Sequence, residues 1–545
     1  MNIKDTTLYK ILIAAIAIVS SLALLGGVME PDSALYASIA KNMVLRNDWI
    51  NIYVRGADWL DKPHLTFWLA AASFKIFGIN AFAYKLPSFL FGLIGAGYLY
   101  KLAKDIYDEK TGLISALIFL SALHILISTF DVRAEVYITT FTLGAIYHYY
   151  KAHQSTFWHI VAGSLSAACA IMIKGIFVLI PVFGGFIIYW LLTKQWKELL
   201  KLKWWIAIIL ILVFIIPELY TLYIQFDLHP EKIVFGTTGV SGIKFFFWDS
   251  QFGRFFNNGP IKGKGDISFF LHTTLWAFLP WSVLFYTAVV TLFKKKSRSA
   301  LPAESIFIWA SAAITFLLFS LSKFQLPHYI LIILPQFAII TACYLQKLKG
   351  KSLNIFTGIQ STIAVLIVGI LTILTLFFKF DNYYAAIAMI VVFMIASFIL
   401  FKGSKTETLI GRSVFTSAGL MIFFSSFFYP ALLKYEAGMQ AGQWLKENYP
   451  EAVSTVFLYR DAYSFDFYAN GEPQYLWSYK ELEKVNAKGR ILFVDQREME
   501  NLKSKYPTAV LKDFEYFHTT KLTPKFLNLK TRKEVLEHFF LVKIL

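Results

Sequence analysis

Three stretches, far apart in an otherwise apolar chain, carry side chains suited to chemistry. EPDSALYASIAKNM, followed by LDKPHLTFW, supplies Asp32, Tyr36, Asp61, Lys62 and His64. DVRAE supplies Asp131, Arg133 and Glu135, and SKFQLPHY supplies Lys323, His328 and Tyr329. Lysine or arginine at headgroup depth suits a phosphate, whose oxyanions it pairs with by charge-assisted hydrogen bonds. A carboxylate beside it suits activation of a hydroxyl or amine nucleophile. Sugar transfer from a lipid phosphate needs both parts. A carboxylate takes the acceptor proton, and cations stabilise a departing phosphate that requires no general acid. Each stretch also has a plainer reading. DVRAE makes a hydrated turn between helices, Trp59 and Trp68 are interfacial anchors, and Pro327 and Pro335 shape a helix entry. The elements that carry these residues decide between the two.

The 545 residues are 57% hydrophobic, 18% aromatic and 16% charged, with a mean hydropathy of +0.56. A soluble domain carries about a quarter charged residues. The composition predicts a mostly α, polytopic membrane protein, because many apolar runs reach the roughly 20 residues that cross a bilayer. About thirteen transmembrane helices are expected, at 8–28, 85–103, 110–129, 135–150, 157–173, 175–192, 204–223, 271–292, 302–320, 326–346, 354–378, 381–401 and 413–430. Gly26, Gly27 and Val28 make no small-x-small cleavage site, so the first run is read as a span. The net charge of +17 does not point to nucleic acid, since much of it lies in short loops where topology and anionic lipid account for it. Cys169 and Cys343 both lie in apolar runs and support neither a disulfide nor a zinc site.

With the N-terminus cytoplasmic, the basic loops all fall on the inner side: Lys101 to Lys110, Lys151, Lys194 to Lys203, Lys294 to Arg298, Lys347 to Lys351, and Lys402 to Arg412. The exoplasmic face then receives the first loop, the DVRAE turn, Lys174, the loop 224–270, the SKFQLPH turn and the tail. Lys62 and Lys323 stand there against the positive-inside pattern. The chain divides into a transmembrane domain, 1–431, with exoplasmic loops 29–84 and 224–270, and a small soluble periplasmic α/β domain, 432–545. The second is read from a helix at 434–448, strands at 453–459 and 490–495, and a helix at 496–506.

Leu35, Ile39 and Met43 recur every fourth residue, which predicts an amphipathic helix over 33–46 lying in the interface plane, with Asp32 capping its N-terminus. The aromatic run 244–256, with Lys244 and Arg254, is read as a second interfacial helix, the alternative being a cover over a donor. Asp61, His64, His229 and His272 are possible donors to a divalent metal. They show no metal-ligand spacing, so no metal site is assigned and no cofactor is required.

The first-loop segments, the DVRAE turn and the SKFQLPHY turn resemble the polytopic GT-C glycosyltransferases, over roughly residues 8–345. Within that class the chain is similar to the lipid A aminoarabinose transferases and to bacterial relatives of the protein O-mannosyltransferases. The resemblance implies a catalytic carboxylate at Asp32 and a second acid at Glu135. It implies lipid-phosphate binding at Lys62, and a lipid-carrier site lined by Lys323 and Tyr329, with Arg133 a further cation there. Asp61, His64 and Tyr36 would support them. The chain departs from the family where Asp32 is followed by Ser33 rather than glutamate, where Tyr36 lacks a preceding arginine, and where His64 replaces a proline. The implied partners are a polyprenyl-phosphate-linked sugar and a membrane lipid, envelope glycan or protein acceptor, met on the periplasmic side of the inner membrane, with inversion. A transporter or flippase of lipid-linked saccharides is the alternative. Its midplane charges and internal repeats are not seen in the sequence. A membrane sensor would use the tail and leave the charged loops unexplained.

Overall fold

Apolar helices fill the chain up to Leu433, and a sheet organises the remaining residues. The computed structural model describes residues 5–154, 157–292, 301–403, 405–459 and 461–545; the expected inner-loop cations Lys294, Lys295, Lys296 and Arg298 lie outside them. Among the described residues, eight helices are long and apolar enough to cross a membrane, running from Thr6–Leu25 to Thr406–Leu433, and Glu109–Ser121 with Leu123–Phe130 adds a ninth if that bent pair is one span. The count of thirteen is therefore not confirmed. Ile176–Leu192, Ser282–Leu292 and Ser305–Leu321 are shorter apolar helices, and at about 1.5 Å per residue they fall short of a full hydrocarbon core. The expected span 271–292 is split into Phe269–Ala277 and Ser282–Leu292 around Pro280, which cannot donate to a helix ladder. Ala134–Gln154 is long, but it carries Glu135, Lys151 and His153.

The bend of 52° between Glu109–Ser121 and Leu123–Phe130 falls at Ala122, whose backbone is extended. The freed Leu123 N–H donates to the Leu279 carbonyl at 2.9 Å, so the break is satisfied within the protein, as apolar surroundings require. The DVRAE turn comes directly after it.

The first-loop helix, Asp32–Arg46, does not lie on a membrane surface with one face in water. Ser33, Ala34 and every residue from Tyr36 to Met43 are buried, and the helix packs against Leu65–Phe77 on one side and Tyr463–Tyr468 on the other. Small residues at 33, 34, 37, 38 and 40 allow both approaches. Lys41 completes the second contact: its Nζ donates to the carbonyls of Asp466, Phe467 and Ala469 at 2.6, 3.2 and 2.6 Å, closing the end of that short helix. Asp32 is not a cap either. Pro31 precedes the helix and no side chain caps it. Next comes a hairpin of β1 (Tyr53–Val54) and β2 (Ala57–Asp58). The Gln225 carboxamide pins it, accepting from Ile52 N–H at 2.9 Å and donating to Ile52 O at 3.0 Å as a neighbouring strand would.

The tail builds five strands, β3 (Thr455–Phe457), β4 (Gln474–Leu476), β5 (Ile491–Asp495), β6 (Thr508–Tyr516) and β7 (Glu537–Ile544), in the order β4-β3-β5-β7-β6. β3 runs parallel to β4 and β5, pairing Thr455 with Gln474 and Leu492, whereas β7 runs antiparallel to β5 and β6. Val456 and Phe457 face opposite sides and are both fully buried, because helices cover both faces: Ala437–Asn448 over one, Gln496–Lys505 over the other.

Candidate functional site

The three charged stretches meet. One Arg133 guanidinium spans two carboxylates, donating from one nitrogen to Asp32 and from the other to Asp131. Burial opposes the Arg133 charge, but Asp131 and Asp32 outweigh it and hold the guanidinium above even its ordinary range. Burial, only partly offset by Arg133, pushes Asp131 up. Asp61 is shared between Lys62, at 3.1 Å, and Arg254. Burial opposes its ionisation, yet those two cations overcome it and hold the carboxyl at about 2. Glu135, 3% exposed, pairs with Lys174 and lies 3.7 Å from His328 Nε2. Tyr36 stands among all three groups, its phenol pushed well up by burial and then by the charges of Asp32, Asp61 and Glu135.

Lys174 is fixed by its surroundings. Its helix, Phe157–Lys174, ends at Gly175 with φ +102°. The Gln251 carboxamide occupies the space a Cβ would need there and donates to the Lys174 carbonyl at 2.8 Å. Only glycine meets both demands without strain. The Lys174 ammonium lies 3.7 Å over the Tyr329 ring, a favourable cation–π arrangement.

A cavity of about 320 Å³ opens beside these pairs. Its walls are mainly apolar, with Phe177, Ile180, Leu222, Phe245, Leu318 and Ile332 among them, and its polar end holds Asp61, Lys62, Lys174, Arg254 and Tyr329. The buried Arg254 Nε has no hydrogen-bond partner among the described residues. A greasy cleft ending in three cations and a spare donor matches an amphiphile with an anionic head.

Of the residues expected from sequence, Asp61, Lys62 and Tyr329 line this cavity. Asp32, Tyr36, Arg133 and Glu135 cluster next to it, joined through the Glu135–Lys174 pair. Lys323 does not belong: its side chain is exposed and outside the walls, and its backbone N–H donates to Phe255. His64 is a buried anchor. Its Nδ1 lies 3.0 Å from Glu218 Oε1 and its Nε2 2.8 Å from the Ile50 carbonyl, while the second Glu218 oxygen accepts the His64 N–H at 3.0 Å; this pins the turn that presents Lys62. His229 pairs with Glu231. Among the described residues no group of three or more His, Cys, Asp or Glu could hold a metal ion. The aromatic run 244–256 walls the cavity with Phe245, Phe246, Phe252 and Phe255, so it covers the cavity while leaving Trp248 and Phe256 exposed. Sequence reasoning left Lys174, Arg254 and Glu218 without roles. Their signals were a lysine against the positive-inside pattern, an arginine in an aromatic run, and an acid within the apolar helix Ile216–Leu222.

Residues 61–221 match the family described as dolichyl-phosphate-mannose-protein mannosyltransferase. The chain is 28% identical to an uncharacterized protein of Aquifex aeolicus, over 81% of this chain and 83% of the other. It is 24% identical to an undecaprenyl phosphate-alpha-4-amino-4-deoxy-L-arabinose arabinosyl transferase of Proteus mirabilis, over 62% of this chain and 61% of that one, so the match spans about three fifths of that relative's length. Among solved structures, ArnT from Cupriavidus metallidurans bound to undecaprenyl phosphate superposes with a TM-score of 0.77 at 16% identity, over 99% of this chain and 98% of that one.

Proposed function

From the GT-C fold that this chain has, we propose that it is an inner-membrane glycosyltransferase that moves a sugar from a polyprenyl-phosphate-linked donor to an acceptor on the exoplasmic side. One observation carries the reading: an apolar cavity headed by Lys62, Lys174 and Arg254, directly beside the Asp32–Arg133 pair. The lipid tail would lie along Phe177, Ile180 and Leu318, and the donor phosphate would meet the cations. The acceptor hydroxyl attacks the anomeric carbon and passes its proton to Asp32. The new C–O bond forms as the bond to phosphate breaks, and polyprenyl phosphate leaves against Lys62 and Arg254. A single displacement inverts the anomeric centre. Where the acceptor is a lipid A phosphate no base is needed, and Asp32 orients it instead. Arg133 serves Asp32 rather than the phosphate, and Glu135 holds Lys174 in place. By the distribution of basic loops, the N-terminus is cytoplasmic and the sheet unit from 432 is periplasmic. The Proteus relative is named as an arabinosyl transferase, which adds nothing to a transporter reading.

Glycan and lipid profiles of a deletion strain test this, complemented with wild type, Asp32→Asn or Lys62→Ala. The expected result is loss of one sugar from an envelope acceptor, with accumulation of its lipid-linked form, restored by wild type alone. Full restoration by both variants overturns it.

A further inference from the structure

Lys323 stands outside the cavity, but it does not stand alone. Residues 257–267, NNGPIKGKGDI, run as a strap against its turn. Gly263 and Gly265 make the approach: a Cβ on either would strike the carbonyl oxygens of Lys323 and Ser322, so both positions take glycine. Lysines alternate with them, and Lys262 and Lys264 are exposed, as Lys323 is. Polar contacts hold the strap in place. The Gly263 N–H donates to Asn257 Oδ1 at 2.9 Å, the Asp266 N–H to Gln325 Oε1 at 2.8 Å, and the Lys323 N–H to the Phe255 carbonyl at 3.1 Å. Backbone contact thus brings three lysines from two distant segments to one surface.

Among the described residues no ion pair engages Lys262, Lys264 or Lys323. Asp266, the one acid in the strap, spends its carboxylate on Ser268, accepting from the N–H at 2.8 Å and from Oγ at 2.9 Å. Asp249 meets the strap at Gly259 through its backbone carbonyl. The neighbours in sequence are apolar. Phe256 and Ile267, at the two ends of the strap, are 60% and 70% exposed, and Leu321, just before the turn, is exposed too. Such side chains suit hydrocarbon, and lysines beside them lay their stems on apolar surface and reach their ammoniums to headgroup depth. By the distribution of basic loops both segments are exoplasmic, where topology gives no reason for lysine.

We propose that Lys262, Lys264 and Lys323 form a docking surface for anionic phospholipid headgroups of the exoplasmic leaflet. Charge complementarity selects the partner, since three ammoniums without counter-ions attract lipid phosphates. The exposed Phe256, Ile267 and Leu321 select a lipid over a soluble anion, because only a lipid brings acyl chains to them. The turn that takes the strap also carries Ser322 and Phe324 in the cavity wall, so the docked strap braces that wall from outside. The inference rests on the exoplasmic placement in the proposed reading and on no step of the transfer.

Photolabelling of the full chain in nanodiscs, by phosphatidylglycerol or phosphatidylcholine carrying a diazirine near the headgroup, tests the surface, with the labelled residues mapped by peptide. In wild type, phosphatidylglycerol is expected to label 256–268 and 321–325 well above phosphatidylcholine. A lysine near an anionic lipid surface contributes about fivefold to binding. Lys262→Gln with Lys264→Gln and Lys323→Gln is therefore expected to lower phosphatidylglycerol labelling there by up to about 10²-fold, and to leave phosphatidylcholine labelling unchanged. Should that variant not fold, Lys264→Gln alone must lose about fivefold. Lys480→Gln with Lys484→Gln and Lys488→Gln removes the same charge from exposed lysines of the sheet unit, and is expected to match wild type. Wild-type labelling in the strap variant, or an equal loss in the sheet-unit variant, overturns the inference. So does displacement of the label by glycerol phosphate at equal concentration, which would make this a site for a soluble anion. No sugar transfer enters the measurement, so its failure leaves the proposed reaction standing, and a failed glycan profile leaves the labelling result intact.

Discussion

Lys174 lies 3.7 Å over the ring of Tyr329, and from that seat its ammonium joins the cavity to Glu135 on the Asp32 side. Glu135, at 3% exposed, depends on this partner. Breaking a buried pair from one side strands a charge at a cost of about 3–5 kcal/mol, whereas removing both charges together costs far less. Lys174→Met is therefore expected to lower the thermal unfolding midpoint sharply, and Lys174→Met with Glu135→Gln to recover much of it. Transfer stays low in both, because the cavity has lost a cation. If the double variant unfolds as early as the single one, the pair is not the source of the cost.

Arg133 fixes the Asp32 carboxylate by holding Asp131 at the same time. Removal of a positioned general base costs about 10²–10⁴-fold, and Asp32→Asn is expected to slow transfer to a hydroxyl acceptor within that range. Arg133→Lys keeps the charge but loses the planar fork that spans two carboxylates, so it is expected to fall between wild type and Asp32→Asn. Single-turnover rates on membranes loaded with donor measure both. Equal rates for Arg133→Lys and wild type would show that the bridge does not orient Asp32.

Much of this arrangement was legible in the chain, for definite reasons. Asp32, Lys62 and Glu135 interrupt apolar sequence on one side of the topology, and such charges are expensive to keep without use. In the tail, the runs at 453–459 and 490–495 became β3 and β5, since strands covered on both faces read as continuous apolar runs. β6 was not legible, because its exposed residues break the pattern. Lys323, expected at the lipid-carrier site, is exposed and stands outside the cavity walls for a related reason. A lysine opposing the positive-inside pattern marks a charge that topology does not require, but it does not fix where the side chain points. The first-loop helix misled because its stripe of Leu35, Ile39 and Met43 accounts for one partner, while the small residues between them record the second.

Lys62 and Arg254 converge on Asp61, which serves as their counter-ion; in the proposed reaction a donor phosphate would take its place. The carboxyl at about 2 is a lowered value. Its stabilising effect is complete above the ordinary range near 4 and is lost only as pH falls toward 2, so cation binding is expected to be insensitive to pH between 5 and 8 through this group. Added undecaprenyl phosphate is expected to raise the unfolding midpoint of wild type, since a ligand stabilises by its affinity for the folded state alone. Lys62→Ala and Arg254→Ala are expected to shrink that shift, and Lys323→Ala to leave it unchanged. A loss in Lys323→Ala equal to that in Arg254→Ala would put the phosphate elsewhere.

Gly175 offers a test of the same site that alters no charge. Its φ of +102° and the Gln251 carboxamide filling the space of a Cβ mean that Gly175→Ala must move the end of the Lys174 helix, Gln251, or both. The backbone strain alone costs on the order of 1–3 kcal/mol. Gln251 belongs to the aromatic cover and reaches the Lys174 carbonyl, so the displacement travels in two directions, to the cation and to the cavity wall. Gly175→Ala is expected to lose most of the undecaprenyl phosphate shift while the pairs at Asp32 and Asp61 stay formed. Shortening the cover residue as well, with Gln251→Ala, removes the clash but not the positive φ, and is expected to restore only part of the shift. Full restoration would mean that steric contact alone sets the position of Lys174, and no change in Gly175→Ala would mean that Lys174 takes no part in holding the phosphate.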